Sequence, residues 1–406
     1  MIIAVAWRNI WRSKTRSVVI LVAICLGLSS GIFYMGFYRG MVDQRINTAI
    51  QTEASHVQVH HKEYLNNPDK KFIIAHGDSL SMLIKSTSGV KATSNRIIIN
   101  TMIQSPTTGA GVKITGIVPG DEKQVTNLYT KVIEGAYFEQ SKRNPIVIGR
   151  KLADKLKVKL KSKVVISLQD MTGNMTAASF KVEGIFETSN TAFDESCVYV
   201  RSSDLGRIML LQPGDCHEIA AILQQNELLE PVAKALQEKL PELDVKTWRE
   251  IMPEVSLVES SFGITMVIFI GIILLALLFG IINTMLMAVL ERTKELGMLM
   301  AIGMNRRRVF TMIMLETVML SFFGGMCGIV LGWALNFYFG VHGIDLGAWS
   351  TAYRSIGYDT LVYTKLSMAI SLKIALMVIV TGVIAAIYPA MKALKLKPAE
   401  AVRIDM

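Results

Sequence analysis

The residues with the means to do chemistry are few and scattered. His60 and His61, and the pair His217 and Glu218, offer imidazole and carboxylate groups. No HExxH, paired-cysteine motif or nucleophile pattern surrounds them, so strand or surface positions are expected and no catalytic or metal site is assigned. Nothing matches G-x-x-x-x-G-K-[ST], the loop whose backbone N–H groups cradle nucleotide phosphates. What remains is polar chemistry in apolar surroundings: Asn283, Glu316 and Lys373, and the stretch ERTKELGMLMAIGMNRRR between two very apolar segments.

Those settings are membrane spans. The chain has 406 residues, 51% hydrophobic and 19% charged, and a mean hydropathy of +0.39, too apolar for an ordinary soluble protein of this length. Crossing a hydrocarbon core takes about 20 residues of helix. Four segments qualify: 17–39, 262–290, 309–339 and 366–390. The first runs past the length of a secretory h-region with no small-x-small site after it, so it reads as a retained span.

Charge sets the orientation. Arg8, Arg12, Lys14 and Arg16 precede the first span. Arg292, Lys294, Arg306, Arg307 and Arg308 separate the second from the third, and Lys392, Lys395, Lys397 and Arg403 follow the fourth. These segments hold only Glu291, Glu295, Glu400 and Asp405 as acids, and so carry nearly all of the net charge of +10. The positive-inside rule places them, and both termini, in the cytoplasm. The basic balance therefore reports topology, with no basic face for nucleic acid.

The layout that follows is a membrane protein with four transmembrane α-helices and a large α+β domain, 40–261, between helices 1 and 2. An interfacial amphipathic helix (1–16) precedes the first span, with Ile3, Trp7, Ile10 and Trp11 on one side. A helical insert (291–308), a short loop (340–365) and a tail (391–406) make up the rest. Within the domain, 40–118 and 215–248 form one unit, and 119–214 is a β-rich insertion. With Cys197 and Cys216 the only cysteines of the domain, a disulfide is chemically open and free thiols are expected.

In the insert, Leu296, Leu299, Met300 and Gly303 form an apolar stripe at helical spacing, with Glu291, Lys294 and Glu295 near its start. Taken alone, this is a solvated connector or a membrane-surface helix with a charged end. Glu316 lies about seven residues, or about 10 Å, inside the third span, and Asn283 lies at a similar depth in the second. The expectation is a hydrogen bond between a protonated Glu316 and Asn283 that ties the two spans. Lys373 is expected to snorkel to headgroups. Gly324, Gly328 and Gly332 recur every four residues, as do Gly27 and Gly31, a spacing that lets helices pack closely. Phe33, Phe37, Met41, Phe262, Met266 and Ile270 gather bulky apolar groups near one end of spans 1 and 2, where packing is the ordinary role.

Several of these stretches together resemble one family. ERTKELGMLMAIGMNRRRV, LETVMLSFFGGMCGIVLG, YPAMKALKLKPAEAVR, DVKTWRE and the run VIEGAYFEQSKRNPIVIGRKLADKLKVKLKSKVVISL are similar, in order and topology, to permease subunits of ABC transporters of the MacB, FtsX and Lol type, most of all the lipoprotein-releasing permeases LolC and LolE. The resemblance implies a porter-like unit with an inserted sabre-like unit in the periplasm of the bacterial inner membrane. It implies that the insert is the coupling helix, with Glu291, Arg292, Lys294, Glu295, Leu296, Gly297 and Met300 facing an ATPase subunit that binds ATP and Mg²⁺. Two such ATPase subunits and a second permease, identical or similar, are the expected partners. The six bulky residues of spans 1 and 2 would line a cavity for a lipoprotein or another amphiphile, which flexible Met and large aromatics suit. MacB-like export and an FtsX-like regulator of a cell-wall hydrolase are the alternatives. LolC-type subunits hook a periplasmic carrier with an extended, proline-containing hairpin; the corresponding turn here, SLQDMTGNMTAASF, is short and has none.

Overall fold

The computed structural model describes residues 2–12, 14–139 and 144–394; the tail from 395 onward, with Lys395, Lys397 and Arg403, lies outside the described residues. The chain divides into two compact units. One draws on the segments up to Val42, Ser261–Asp345 and the chain from Leu361; the other is Asp43–Ser260 with Leu346–Thr360.

In the first unit, four helices are long and apolar enough to cross a membrane: Lys14–Thr48, Pro253–Glu291, Arg306–His342 and Met368–Leu394, here spans 1 to 4. A helix Ile2–Arg12 precedes them, and a short helix Thr293–Ala301 joins spans 2 and 3. Pro253 opens span 2 at a helix N-terminus, where its missing N–H removes nothing from the helix. Ile20, Ile24, Leu28 and Ile32 repeat every four residues, all buried, and form one stripe of the bundle core.

Opposite that stripe stand the glycines of span 3. A Cβ added at Gly324, Gly328 or Gly332 would lie 3.0, 2.9 and 3.0 Å from the Cβ atoms of Ile24, Leu28 and Ile32. Spans 1 and 3 therefore run parallel, in register, with backbones so near that a side chain at any of those three positions would push on its neighbour. Asn336 Nδ2 donates to Ile32 O at 3.2 Å, and Thr364 Oγ1 donates to Asn336 O at 2.7 Å.

The second unit is built on one ten-stranded sheet. Its strands are β1 Val57–His61, β2 Val90–Gln104, β3 Gly109–Ile117, β4 Val132–Gly135, β5 Pro145–Gly149, β6 Lys163–Gln169, β7 Met175–Phe186, β8 Cys197–Arg201, β9 Glu218–Leu223 and β10 Leu243–Thr247. The pairings β2–β3, β3–β8, β8–β5, β5–β7, β7–β6 and β6–β2 close a ring. Val112 and Ile114, Val164 and Ile166, and Phe180 and Val182 alternate inward to fill it.

This closure corrects the expected domain boundaries. The fifteen-residue β2 serves both halves: Val90–Arg96 pair with β9, while Met102–Gln104 pair with β6. The inserted part thus begins within β2, before residue 119. Of the loop after span 3, residues 346–360 group with the α+β unit. There Arg354 ion-pairs with Glu187.

β1 and β10 are neighbours, with Val57 paired to Thr247. The helix of span 1 passes through a π-helical turn, Ala49–Ala54, into β1. After β10, the helix Trp248–Ile251 leads to Pro253. Thr247 closes that helix with a capping box to Glu250, and Trp248 N donates to His56 O at 3.0 Å. At the exposed side of β10, Gln237 imitates a strand: its Nε2 donates to Leu243 O at 2.9 Å and its Oε1 accepts from Val245 N at 3.0 Å.

Candidate functional site

The insert is a nine-residue helix, Thr293–Ala301, with a defined stop. Gly303, at φ +102°, takes the left-handed conformation. Its N–H reaches Met300 O at 3.2 Å, and Met304 N reaches Leu299 O at 3.0 Å, the paired bonds of a Schellman ending. Asn305 then caps span 3, accepting from Arg307 N at 3.1 Å. G-M-N is thus a local instruction to end one helix and begin another.

Two arginines hold the insert from behind. Arg292 Nη1 lies 3.5 Å from both carboxylate oxygens of Glu316, and its Nη2 donates to Asn9 O at 3.0 Å. Arg12, at the end of the N-terminal helix, forks onto Glu295, with Nη1 at 3.1 Å from Oε2. The Arg292 and Glu316 side chains are only 15% and 6% exposed, whereas Arg12 and Glu295 are 64% and 40% exposed. Glu316 therefore faces a cation, and the expected bond to Asn283 is not made. Asn283 is exposed, because Ile281, Met285 and Ala288 define the buried face of span 2 and Asn283 points away from it.

Between the N-terminal helix, span 2, the insert and span 3 lies a cavity of about 420 Å³, lined by Val5, Asn9, Met285, Leu299 and Met312 and rimmed by the four charged groups. The N-terminal helix itself packs on span 3. Ala6 and Ile10 are buried, and the Trp7 and Phe323 rings lie 5.4 Å apart. The side chain of Ile3 is outside the described residues.

Seven insert residues were expected to face an ATPase, and the geometry divides them. Leu296 and Gly297 are buried against the bundle, Met300 packs against the core, and Arg292 and Glu295 are engaged in the ion pairs. Glu291 and Lys294 face outward. They are joined by two residues that sequence reasoning missed, Met298 and Ile302, which are 54% and 84% exposed and also line the cavity. Lys294 and Met298 stand one turn apart on the insert helix, between Glu291 at the end of span 2 and Ile302 just past the helix, an exposed ridge legible in the sequence had the outward face been followed past its charged start.

The six bulky residues of spans 1 and 2 do not share one face. Phe33 meets Phe339 of span 3 at 5.6 Å, and Ile270 is buried in the bundle core. Phe262 stacks on Tyr38 at 5.5 Å beneath Arg39. Tyr34 and Phe269 meet at 4.4 Å; with Phe262 and Tyr38 they make an aromatic seam between the two helices. Phe37, Met41 and Met266 are half-buried. Lys373 is exposed on span 4.

The α+β domain holds a buried polar centre that sequence reasoning did not single out. Arg96 donates to Glu122 Oε1 and to Glu218 Oε1, each at 2.7 Å, and to Ser55 Oγ at 3.3 Å. Ser94 Oγ donates to Glu122 Oε2 at 2.7 Å. Burial works against the Arg96 charge, and the two carboxylates outweigh it, raising its pKa. Glu218 is held below the usual carboxylate range: burial opposes this, and Arg96 and His60 overcome it. Burial lowers His60 and His217, and His56 to about 4. Cys197 and Cys216 are free, buried thiols, the second pushed up to about 12 by burial. Among the described residues, no group of His, Cys, Asp and Glu is arranged to hold a metal.

These two units define a class, a multi-pass helical membrane protein carrying an α+β domain. The chain belongs to the ABC transporter permeases of the MacB, FtsX and Lol type: residues 17–239, more than half of it, match the MacB-like periplasmic core domain, and residues 267–398 match the FtsX-like permease C-terminal region. It is 26% identical over 280 residues to an uncharacterized ABC transporter permease of Methanocaldococcus jannaschii, covering 66% of this chain and 65% of that one. It is 29% identical to the macrolide export ATP-binding/permease protein MacB of Brucella abortus, over 55% of this chain and 33% of that one. With the lipoprotein-releasing system transmembrane protein LolC of Neisseria meningitidis it shares 26% identity, over 73% of this chain and 74% of the other. The chain thus spans less than two thirds of the length of the first two. The periplasmic region of MacB from Actinobacillus actinomycetemcomitans superposes with a TM-score of 0.36 at 10% identity, over 51% of this chain and 94% of that one.

Proposed function

We propose that this chain is the membrane subunit of a transporter in which a separate ATPase, seated on the insert, moves the α+β domain to drive a lipoprotein out of the outer leaflet of the inner membrane. The observation that carries the reading is the β1–β10 pairing. Helices leading to spans 1 and 2 leave the domain from two adjacent strands, Val57 opposite Thr247, so a relative displacement of the two helices acts on a single ladder. Force transmission needs no catalytic group in this chain, in keeping with the missing phosphate loop.

In this reading the insert, both termini and the basic segments are cytoplasmic, the domain is periplasmic, and two ATPase subunits serve a pair of permeases. ATP and Mg²⁺ are bound by those ATPase subunits. The ridge Glu291, Lys294, Met298 and Ile302 offers charge and apolar knobs to the ATPase. The aromatic seam Tyr34, Tyr38, Phe262 and Phe269, with the half-buried Phe37, Met41 and Met266 nearby, is where acyl chains would enter. The match to LolC along nearly three quarters of both chains favours lipoprotein as cargo. Docking of a periplasmic carrier is left out of the reading, because the β6–β7 turn is a tight Asx turn: Asp170 Oδ1 accepts from Thr172 N at 2.9 Å and Asn174 N at 3.0 Å.

A second reading, MacB-like export of a periplasmic peptide, drug or lipid, is favoured by the match of residues 17–239 to the MacB-like core. The experiment that separates the readings is purification with the co-expressed ATPase and mass spectrometry of what stays bound. Acylated proteins support lipoprotein release, a non-acylated peptide or small molecule supports export, and a bound cell-wall hydrolase with no cargo contradicts both.

A further inference from the structure

The N-terminal helix looks from sequence like a membrane anchor, and its contacts say more. Arg292, the residue just before the insert helix, holds two other elements at once: the Asn9 carbonyl on the N-terminal helix at 3.0 Å and Glu316 on span 3 at 3.5 Å. The Arg12–Glu295 fork joins the same two helices from the other side. Beneath these contacts lies the cavity of about 420 Å³. Arg12 and Arg292 thus each carry hydrogen bonds that cross between the insert and the N-terminal helix. Ser17 Oγ donates to Ile10 O at 2.7 Å, fixing the turn between the N-terminal helix and span 1.

We propose that the N-terminal helix is a second lever of the coupling apparatus, carried by the insert through Arg292 and Arg12, with Glu316 positioning Arg292 between them. This rests on the reading that an ATPase docks on the insert. A push on the exposed ridge reaches span 3 through Glu316. It also reaches span 1 by the N-terminal helix, which has no link to the insert along the chain short of the whole α+β domain. The cavity leaves space beside the insert, whose Leu296 stays packed on the bundle core, and the charged rim sets where movement of the insert is delivered. Arg suits this role better than Lys, since its fork serves a carboxylate and a carbonyl together.

The test uses the full chain with its co-expressed ATPase in proteoliposomes, native cysteines replaced, and spin labels at Trp11→Cys on the N-terminal helix, Ala301→Cys on the insert and Tyr388→Cys on span 4 as reference. Distances are compared without nucleotide and after trapping with ADP and vanadate. The expected result is that both the insert and the N-terminal helix shift relative to span 4. Arg12→Gln or Glu316→Gln then abolishes the shift of the N-terminal helix while that of the insert persists. An insert that moves while the N-terminal helix stays fixed overturns the proposal, as does a shift unchanged in both variants. An insert that does not move, or an ATPase that does not associate, overturns the docking reading itself and the proposal with it. Arg12→Gln lies at an exposed position and keeps the test open if Glu316→Gln does not fold.

Discussion

Arg292 and Glu316 stand 24 residues apart in the chain and 3.5 Å apart in space, and tie the start of the insert to span 3. With side chains only 15% and 6% exposed, the pair is held largely out of water. Removing Arg292 takes away the cation that faces the buried Glu316, and breaking a pair of this kind costs roughly 3–5 kcal/mol. Arg292→Ala should therefore lower the unfolding temperature of the detergent-solubilised protein far more than Arg12→Ala, whose pair is mostly exposed and worth about 1 kcal/mol or less. The double replacement Arg292→Met with Glu316→Leu should recover most of the loss. Equal unfolding temperatures for Arg292→Ala and Arg12→Ala would contradict the assignment.

The glycines of span 3 predict a contrast within one residue type. Gly328→Leu forces its side chain against Leu28 and the Cys25 carbonyl, 2.9 and 3.0 Å from the new Cβ. Overpacking of this kind costs about 1–3 kcal/mol. Gly271, in span 2, has nothing within 4 Å. Gly271→Ala should be neutral or raise stability by up to about 1 kcal/mol through helix propensity. Thermal unfolding followed by tryptophan fluorescence measures both, and a Gly328→Leu variant as stable as the parent would refute the close packing of spans 1 and 3.

Acid should loosen the α+β domain. Burial holds His56 (to about 4), His60 and His217 below their ordinary 6.5, so the unfolded state takes up protons that the folded state refuses. Glu218, also lowered, acts in the same sense further down. Stability is thus full above pH 6.5 and falls as pH drops toward 4. Asp194 works the other way: burial raises it from 3.8 to about 6, so its contribution is present below 3.8 and is lost as pH rises through 6. One group against four leaves a net loss in acid. Hydrogen exchange of β1 and β9 in the full chain should speed up between pH 6.5 and 4 after correction for the intrinsic rate; protection unchanged across that window would contradict the buried neutral histidines.

Arg354→Gln should loosen the loop 346–360 without touching the sheet core. Its ion pair with Glu187 is about 40% exposed on the Arg354 side, so the stability cost is about 1 kcal/mol or less. Faster hydrogen exchange confined to Ser350–Ser355 and Thr191–Ser196 is the expected outcome.

The spans were legible because hydropathy and Lys/Arg placement are written along the chain. The partner of Glu316 was not. Depth alone suggested Asn283, but helical phase turns Asn283 outward, and Arg292, from a neighbouring segment read as solvent-facing, reaches in. The Arg96, Glu122 and Glu218 centre joins residues 26 and 122 positions apart, a distance over which no periodic pattern speaks. The strand runs of β6 and β7 were visible as alternation, yet ring closure depended on β2 being long enough to pair at both ends. That is a property of register, which a one-dimensional pattern does not contain.

Every step of the proposed force transmission depends on the insert as the docking surface for an ATPase. The direct measurement is capture of the co-expressed ATPase by the tagged full-length chain carrying Met298→Glu and Ile302→Glu, beside a thermal unfolding curve of the same sample. Both side chains are exposed, so the unfolding temperature should stay that of the parent while capture and ATP hydrolysis in the complex are lost. Undiminished capture by the doubly substituted, folded protein would contradict the claim.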